Sequence, residues 1–154
     1  MNIRKATKKD FGELIRLRKG FYLDSCRKDV YSNPSWSRSG LPIATALVLK
    51  RDNAAIFVAE DKGRIIGYIG CEIKKQPLYF KYRNRGEIYN LYVRKENRGR
   101  GIGTKLMRTA FKWFKSKKIK WANLWVHPKN SRAHKLYRKM GFNDWYMMMN
   151  KIIK

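Results

Sequence analysis

The chain is short of cysteines, acids and long apolar runs, and each shortage removes a class of protein. It has two cysteines in 154 residues, Cys26 and Cys71, and neither belongs to a Cys-x-x-Cys pair. Cys71 falls in the apolar run 65–73, where a buried free thiol is expected, and His127 and His134 have no ligand-like companions nearby. A disulfide framework and a structural metal are therefore not expected. No apolar stretch approaches the ~20 residues that span a bilayer, and runs such as 43–49 are far too short. Residues 1–5 lead into a charged stretch instead of an apolar signal core, so a cytoplasmic protein with no membrane association is expected. No repeat, low-complexity tract or Pro/Gly/Ser linker divides the chain, which suits a single domain over residues 1–154.

What is abundant is positive charge. Lys and Arg total 37 against 11 acids, a formal net charge of +26. Such a field attracts polyanions: nucleic acid, an anionic surface or a phosphorylated cofactor. The cations are spread along the chain, with short clusters only at 94–100 and 115–120. Spread charge is most often a solvated surface, so a nucleic-acid-binding module stays open as an alternative. With 44% hydrophobic and 14% aromatic residues, the chain can also bury a sizeable core.

Patterning predicts a short strand over 2–6 and a helix N-capped by Asp10, with Phe11, Leu14, Ile15 and Leu17 on one face. Residues 20–42 read as irregular, followed by a short helix over 43–50. The runs 55–60 and 64–73, joined by Asp61-Lys62-Gly63, read as a hairpin, with a further strand over 87–93. A glycine-rich turn at 99–103 opens a helix bearing Leu106, Met107, Ala110, Phe111 and Phe114. Then follow a strand over 121–126, a helix over 130–140 stopped by Gly141, and a last strand over 142–152. The order predicts a mixed α/β sandwich.

The strand–turn–helix over 87–115 carries the chemistry. Glycines 99, 101 and 103 leave backbone amides bare to approach an anion. Arg98, Arg100 and Lys105 stand at a helix N-terminus, where the macrodipole disfavours cations by roughly 0.3–1 kcal/mol each unless an anion is present. A dinucleotide fingerprint fails because Thr104 or Leu106 stands where its last glycine belongs, and a P-loop fails on the order Gly103-Thr104-Lys105.

The pattern Arg98-x-x-Gly101-x-Gly103, preceded by Leu91-Tyr92-Val93, resembles the pyrophosphate loop of the GCN5-related N-acetyltransferase (GNAT) family. A second motif of that family follows: Asn130-x-x-Ala133-x-x-Leu136-Tyr137-x-x-x-Gly141-Phe142. The resemblance implies that fold, a mostly antiparallel sheet flanked by helices, and acetyl-CoA as cosubstrate. It also implies that the amides of Arg98, Gly99, Arg100, Gly101, Ile102 and Gly103, with Thr104 beside them, bind pyrophosphate. The strand edge at Tyr92 and Val93 would pair with pantetheine, which Asn130 would help hold, and the Leu91 amide would face the thioester carbonyl. Tyr137 would protonate the departing thiolate, or alternatively pack in the core. Glu87 is the candidate base, by resemblance to the histone-acetylating branch, or alternatively a solvated strand-end charge; Tyr89 stands where polyamine-acetylating relatives usually carry glutamate. No residue reads as an acyl-carrying nucleophile, so direct transfer in a ternary complex is expected.

In this family the acceptor is set by segments that correspond here to 20–42 and 77–86. They carry Tyr22, Tyr31, Trp36, Tyr79, Phe80 and Tyr82, and the acids Asp24 and Asp29. The net charge disfavours polycationic acceptors and points to protein or peptide amines, including those of proteins bound to nucleic acid or the ribosome.

Overall fold

Residues 1–27 and 32–153 are described by a computed structural model; Asp29 and Tyr31 lie outside them. Five strands form one sheet: β1 (Asn2–Lys5), β2 (Ala54–Asp61), β3 (Arg64–Lys75), β4 (Asn84–Val93) and β5 (Ala122–Leu124), in that spatial order. The first four run antiparallel and β5 joins β4 in parallel. The helices are α1 (Phe11–Cys26), α2 (Trp36–Lys50), α3 (Ile102–Ser116) and α4 (Ser131–Lys139). This is the mixed sandwich expected from the element order.

Strand alternation sends side chains to two cores. Ile56, Val58, Tyr68, Leu14 and Leu17 pack between the sheet and α1, with Val48 and Leu49 of α2 against them. Phe57, Ile69, Cys71 and Ile88 pack on the other face against Leu106, Met107, Ala110 and Phe114 of α3. The β2–β3 hairpin closes through Lys62 (φ 48°) and Gly63 (φ 75°), two left-handed residues whose twist matches that of the flanking strands.

One irregularity positions everything that follows. Gly70 pairs with Asn90 and Cys71 with Ile88, so Tyr89 is an extra residue, a bulge in β4. Before the bulge, the Gly86 amide donates toward β5, to the Trp121 carbonyl at 2.9 Å. After it, the Arg94 amide, of the same parity, donates the opposite way, to the Ile66 carbonyl of β3 at 2.9 Å. The inserted residue has reversed which amides face which edge. By that alternation the Leu91 and Val93 amides face away from β3. Pairing with β5 stops at Ile88–Leu124, so beyond the bulge β4 and β5 part and leave a wedge.

Several expectations are corrected. The stretch 20–42 is largely helical, because α1 runs on to Cys26 and α2 starts at Trp36, with Pro42 inside it. Packing of Tyr22 on Trp36 (5.1 Å between ring centres) and burial of Leu41 and Thr45 outweigh the one backbone bond that proline removes. Asp10 stands at the start of α1 without capping it. Its carboxylate is taken by both terminal nitrogens of Arg4 (2.8 Å each) and the Thr7 amide (2.7 Å), which hold it down at about pH 2. The strand expected over 121–126 is confined to Ala122–Leu124. Residues 143–153 form no strand. Trp145 packs on Trp121 and Phe80, while Tyr146 to Met149 are exposed.

Candidate functional site

The wedge between β4 and β5 is a cleft of about 720 Å³. One wall is the bulge and post-bulge part of β4, Tyr89 to Val93; the opposite wall is Trp125, Val126, His127, Asn130 at the N-cap of α4, and the α4 residues Ala133, Leu136 and Tyr137. The start of α3 closes one end, and Phe21, Asp24 and Ser25 of α1, with Arg27 just past its end, overhang the other face.

The α3 end is built from amides. Gly99 (φ 85°) and Gly101 (φ 72°) hold left-handed conformations that other residues adopt only under strain, and they turn the chain into the helix. No side chain caps α3, so its first amides are the unsatisfied donors that every helix start leaves. Gly103 permits close packing: a Cβ there would meet Leu136 at 3.3 Å. The Arg98 guanidinium is tethered, since its Nε donates to the Val93 carbonyl at 2.8 Å and its carbon lies 5.6 Å from the Tyr92 ring centre. A cation that looked misplaced in sequence therefore has partners on the strand.

Tyr137 is set by the end of α4. The Phe142 amide donates to the Tyr137 carbonyl and the Gly141 amide to that of Arg138, both at 3.0 Å, with Gly141 at φ 87°. This is a Schellman stop. It brings the Phe142 ring edge-on to Tyr137 at 6.0 Å, and the half-buried phenol lines the cleft. Burial pushes its pKa up, so it stays protonated at neutral pH. At the other end of α4, the Asn130 side chain accepts from the Ala133 amide at 3.4 Å.

Of the residues expected at the site, Leu91, Tyr92, Val93, Arg98, Gly99, Gly101, Ile102, Gly103, Thr104, Asn130 and Tyr137 line this cleft; Arg100 and Glu87 do not. Arg100 is exposed on the loop. The Tyr92 ring packs on Phe21 of α1 and Tyr68 of β3. Glu87 precedes the bulge, bonded to Arg85 Nη2 at 2.8 Å and opposite Glu72 on β3. Cys71 is a core thiol: its Sγ donates to the Ala55 carbonyl, and burial pushes it up to about pH 12. Sequence reasoning missed the α1 overhang, since 20–42 read as irregular. It also missed the cleft-lining His127, whose Nδ1 accepts from the Lys129 amide.

The model of the acetyltransferase (GNAT) family matches residues 17–142, and the chain belongs to that family. It is an acetyl-CoA-dependent N-acetyltransferase. An uncharacterized N-acetyltransferase of Archaeoglobus fulgidus is 32% identical over 147 residues, covering 89% of each chain. An N-alpha-acetyltransferase of Sulfurisphaera tokodaii is 35% identical over 104 residues, covering 62% of this chain and 60% of that one. Among solved structures, a predicted acetyltransferase from Clostridium acetobutylicum with acetyl-CoA aligns with TM-score 0.81 at 24% identity, over 97% of this chain and 95% of that one. Other matches are mycothiol acetyltransferases and an aminoglycoside N-acetyltransferase.

Proposed function

We propose that this chain moves the acetyl group of acetyl-CoA directly to a primary amine of a protein or peptide, with the thioester held against the bulge in β4. The observation that carries the reading is the reversal at Tyr89, which turns the Leu91 and Val93 amides into the cleft opposite Tyr137. The α3 amides take the pyrophosphate. The Val93 amide anchors the pantetheine arm, while its carbonyl is already occupied by Arg98. The Leu91 amide stabilises the charge that develops on the thioester oxygen. Tyr137 donates its proton to the leaving thiolate, and Asn130 steadies the arm at the mouth of α4.

Glu87 serves as base at one remove. Four residues of strand, about 13 Å at 3.3 Å per residue, separate it from Leu91, so its proton path runs through water. A lysine amine needs a base most, because deprotonating a group of pKa ~10.4 at pH 7 costs roughly 4.6 kcal/mol, against about 1 kcal/mol for an α-amine. Glu87→Gln is expected to lower kcat/KM about tenfold or more near neutral pH, with partial recovery as pH rises and the amine deprotonates unaided. A pH–rate profile that overlays the wild type would remove Glu87 from that role.

The acceptor reading rests on charge and on the partial match to an N-alpha-acetyltransferase. A body of net charge +26 draws in acidic acceptors or acceptors bound to polyanions and repels polycations. For an acidic or nucleic-acid-bound protein, kcat/KM should fall as salt rises; for spermidine or an aminoglycoside it should rise. Spermidine as best acceptor, with salt suppressing its turnover, would contradict the reading.

A further inference from the structure

Arg18 of α1 is 5% exposed, and its Nε and Nη1 are buried without a hydrogen-bond partner among the described residues. The Tyr68 hydroxyl is likewise buried without a partner among them, and the Tyr89 hydroxyl has no neighbour there for its polar atom but the Arg18 guanidinium, outside full hydrogen-bond geometry. These atoms share one neighbourhood. The guanidinium carbon lies 5.9 Å from the Tyr89 ring centre, and the Arg18 charge acts on both phenols. Gly70 leaves room for the group: a Cβ there would lie 2.9 Å from the Tyr89 hydroxyl.

The carboxylates in this part of the molecule are engaged elsewhere. Glu13 accepts from the Ile65 amide and Arg94, Glu72 pairs with Arg51 and Lys74, and Glu87 pairs with Arg85. The phenol oxygens can accept as well as donate, but they are neutral. What the Arg18 Nε and Nη1 lack is therefore an anionic acceptor, toward which both phenol hydroxyls can also donate. A buried cation left without one is unfavourable, and such groups are normally paired. The cluster meets the cleft through Tyr89, with Arg18 and Tyr68 buried behind it. Arg18, Phe21 and Ser25 fall at i, i+3 and i+7 on one stripe of α1, and Phe21, Ser25 and the bulge residue Tyr89 all line the cleft. It lies on the α1 face of the sheet, away from α3, whose amides face the phosphates.

We infer that Arg18, with the hydroxyls of Tyr68 and Tyr89, forms a subsite for a carboxylate carried by the amine acceptor. This rests on the reading above that the thioester is held against the bulge in β4, and it places the acceptor between the bulge and the α1 residues that line the same cleft. It narrows the acceptor class to amines with a nearby carboxylate, such as a peptide whose residue beside the amine is aspartate or glutamate.

The test uses two peptides that differ only by aspartate or asparagine beside the acceptor amine. Each is titrated into the full-length protein saturated with coenzyme A, and kcat and KM are measured where turnover is seen. The wild type should bind the aspartate peptide at least about tenfold more tightly, as expected for hydrogen bonds to a charged group. Arg18→Met should erase that preference, while the asparagine peptide moves less than about threefold and coenzyme A affinity is unchanged. Tyr89→Phe, which removes one donor and keeps the ring, should reduce the preference several-fold. Because it removes an unpaired buried charge, Arg18→Met should also melt higher than the wild type.

Equal binding of the two peptides by the wild type overturns the subsite, as does an Arg18→Met protein that melts lower and weakens both peptides alike. Failure of the acetyl-CoA reading is distinguished by the coenzyme titration itself, which would then show no binding before any peptide is added.

Discussion

Gly101→Val is expected to yield a folded protein whose affinity for acetyl-CoA has fallen by at least about a hundredfold. Position 101 holds φ 72°, a left-handed conformation that a β-branched residue resists at a cost of about 1–3 kcal/mol. The chain can relieve that strain only by turning the peptide planes that lead into α3, and those planes carry the amides proposed to take the pyrophosphate. A Cβ at 101 would meet no protein atom within 4 Å. The damage therefore falls on the loop and the cleft it lines, while the cores of the sheet are untouched. Melting should drop by several degrees, at about 2–4 °C per kcal/mol for a chain of this size, with the transition still cooperative. Gly101→Ala should fall between, since it adds strain with less bulk. If the valine variant bound acetyl-CoA like the wild type, the pyrophosphate would have to sit elsewhere.

The second large effect concerns Tyr137. Tyr137→Phe should lower kcat by 10²–10⁴-fold, the usual contribution of a positioned proton donor, while acetyl-CoA affinity stays within a few fold. The substitution removes one oxygen and keeps the ring contact with Phe142 and the Schellman stop that orients the side chain. Burial raises the phenol's pKa above its ordinary 10, so the proton is in place throughout the neutral range and can be donated as negative charge develops on the leaving sulfur beside it. Turnover equal to wild type, measured where the chemical step limits the rate, would mean that Tyr137 only packs.

Much of this site was legible because its sequence signals are local. Gly99, Gly101 and Gly141 hold positive φ, and Asn130 takes a helix amide at the start of α4, so these motif positions meet backbone needs that residue type alone announces. The end of α1 and the start of α2 were not legible, because 20–42, with Pro34, Gly40 and Pro42, reads as irregular. The Tyr22–Trp36 contact and the burial of Leu41 that override them are tertiary. The bulge at Tyr89 was invisible for a different reason. Nothing in 87–93 marks an inserted residue; only its register against Gly70 and Cys71 does, and that register turns the Leu91 amide into the cleft. Arg18 carried no signal among 37 cations until its burial was known. In the tail, 142–152 has strand composition, yet among the described residues after Phe142 only Trp145 finds aromatic partners in the body of the fold, Trp121 and Phe80.

The account stands on acetyl-CoA lying in the cleft between β4 and β5, and calorimetric titration of the folded wild type with acetyl-CoA tests it most directly. A single site of micromolar affinity is predicted, weakening as salt is raised because phosphates meet cationic and dipolar groups, and lost in Gly101→Val. A folded wild-type protein that releases no binding heat across temperatures, or binds with the same affinity in the valine variant, would contradict it.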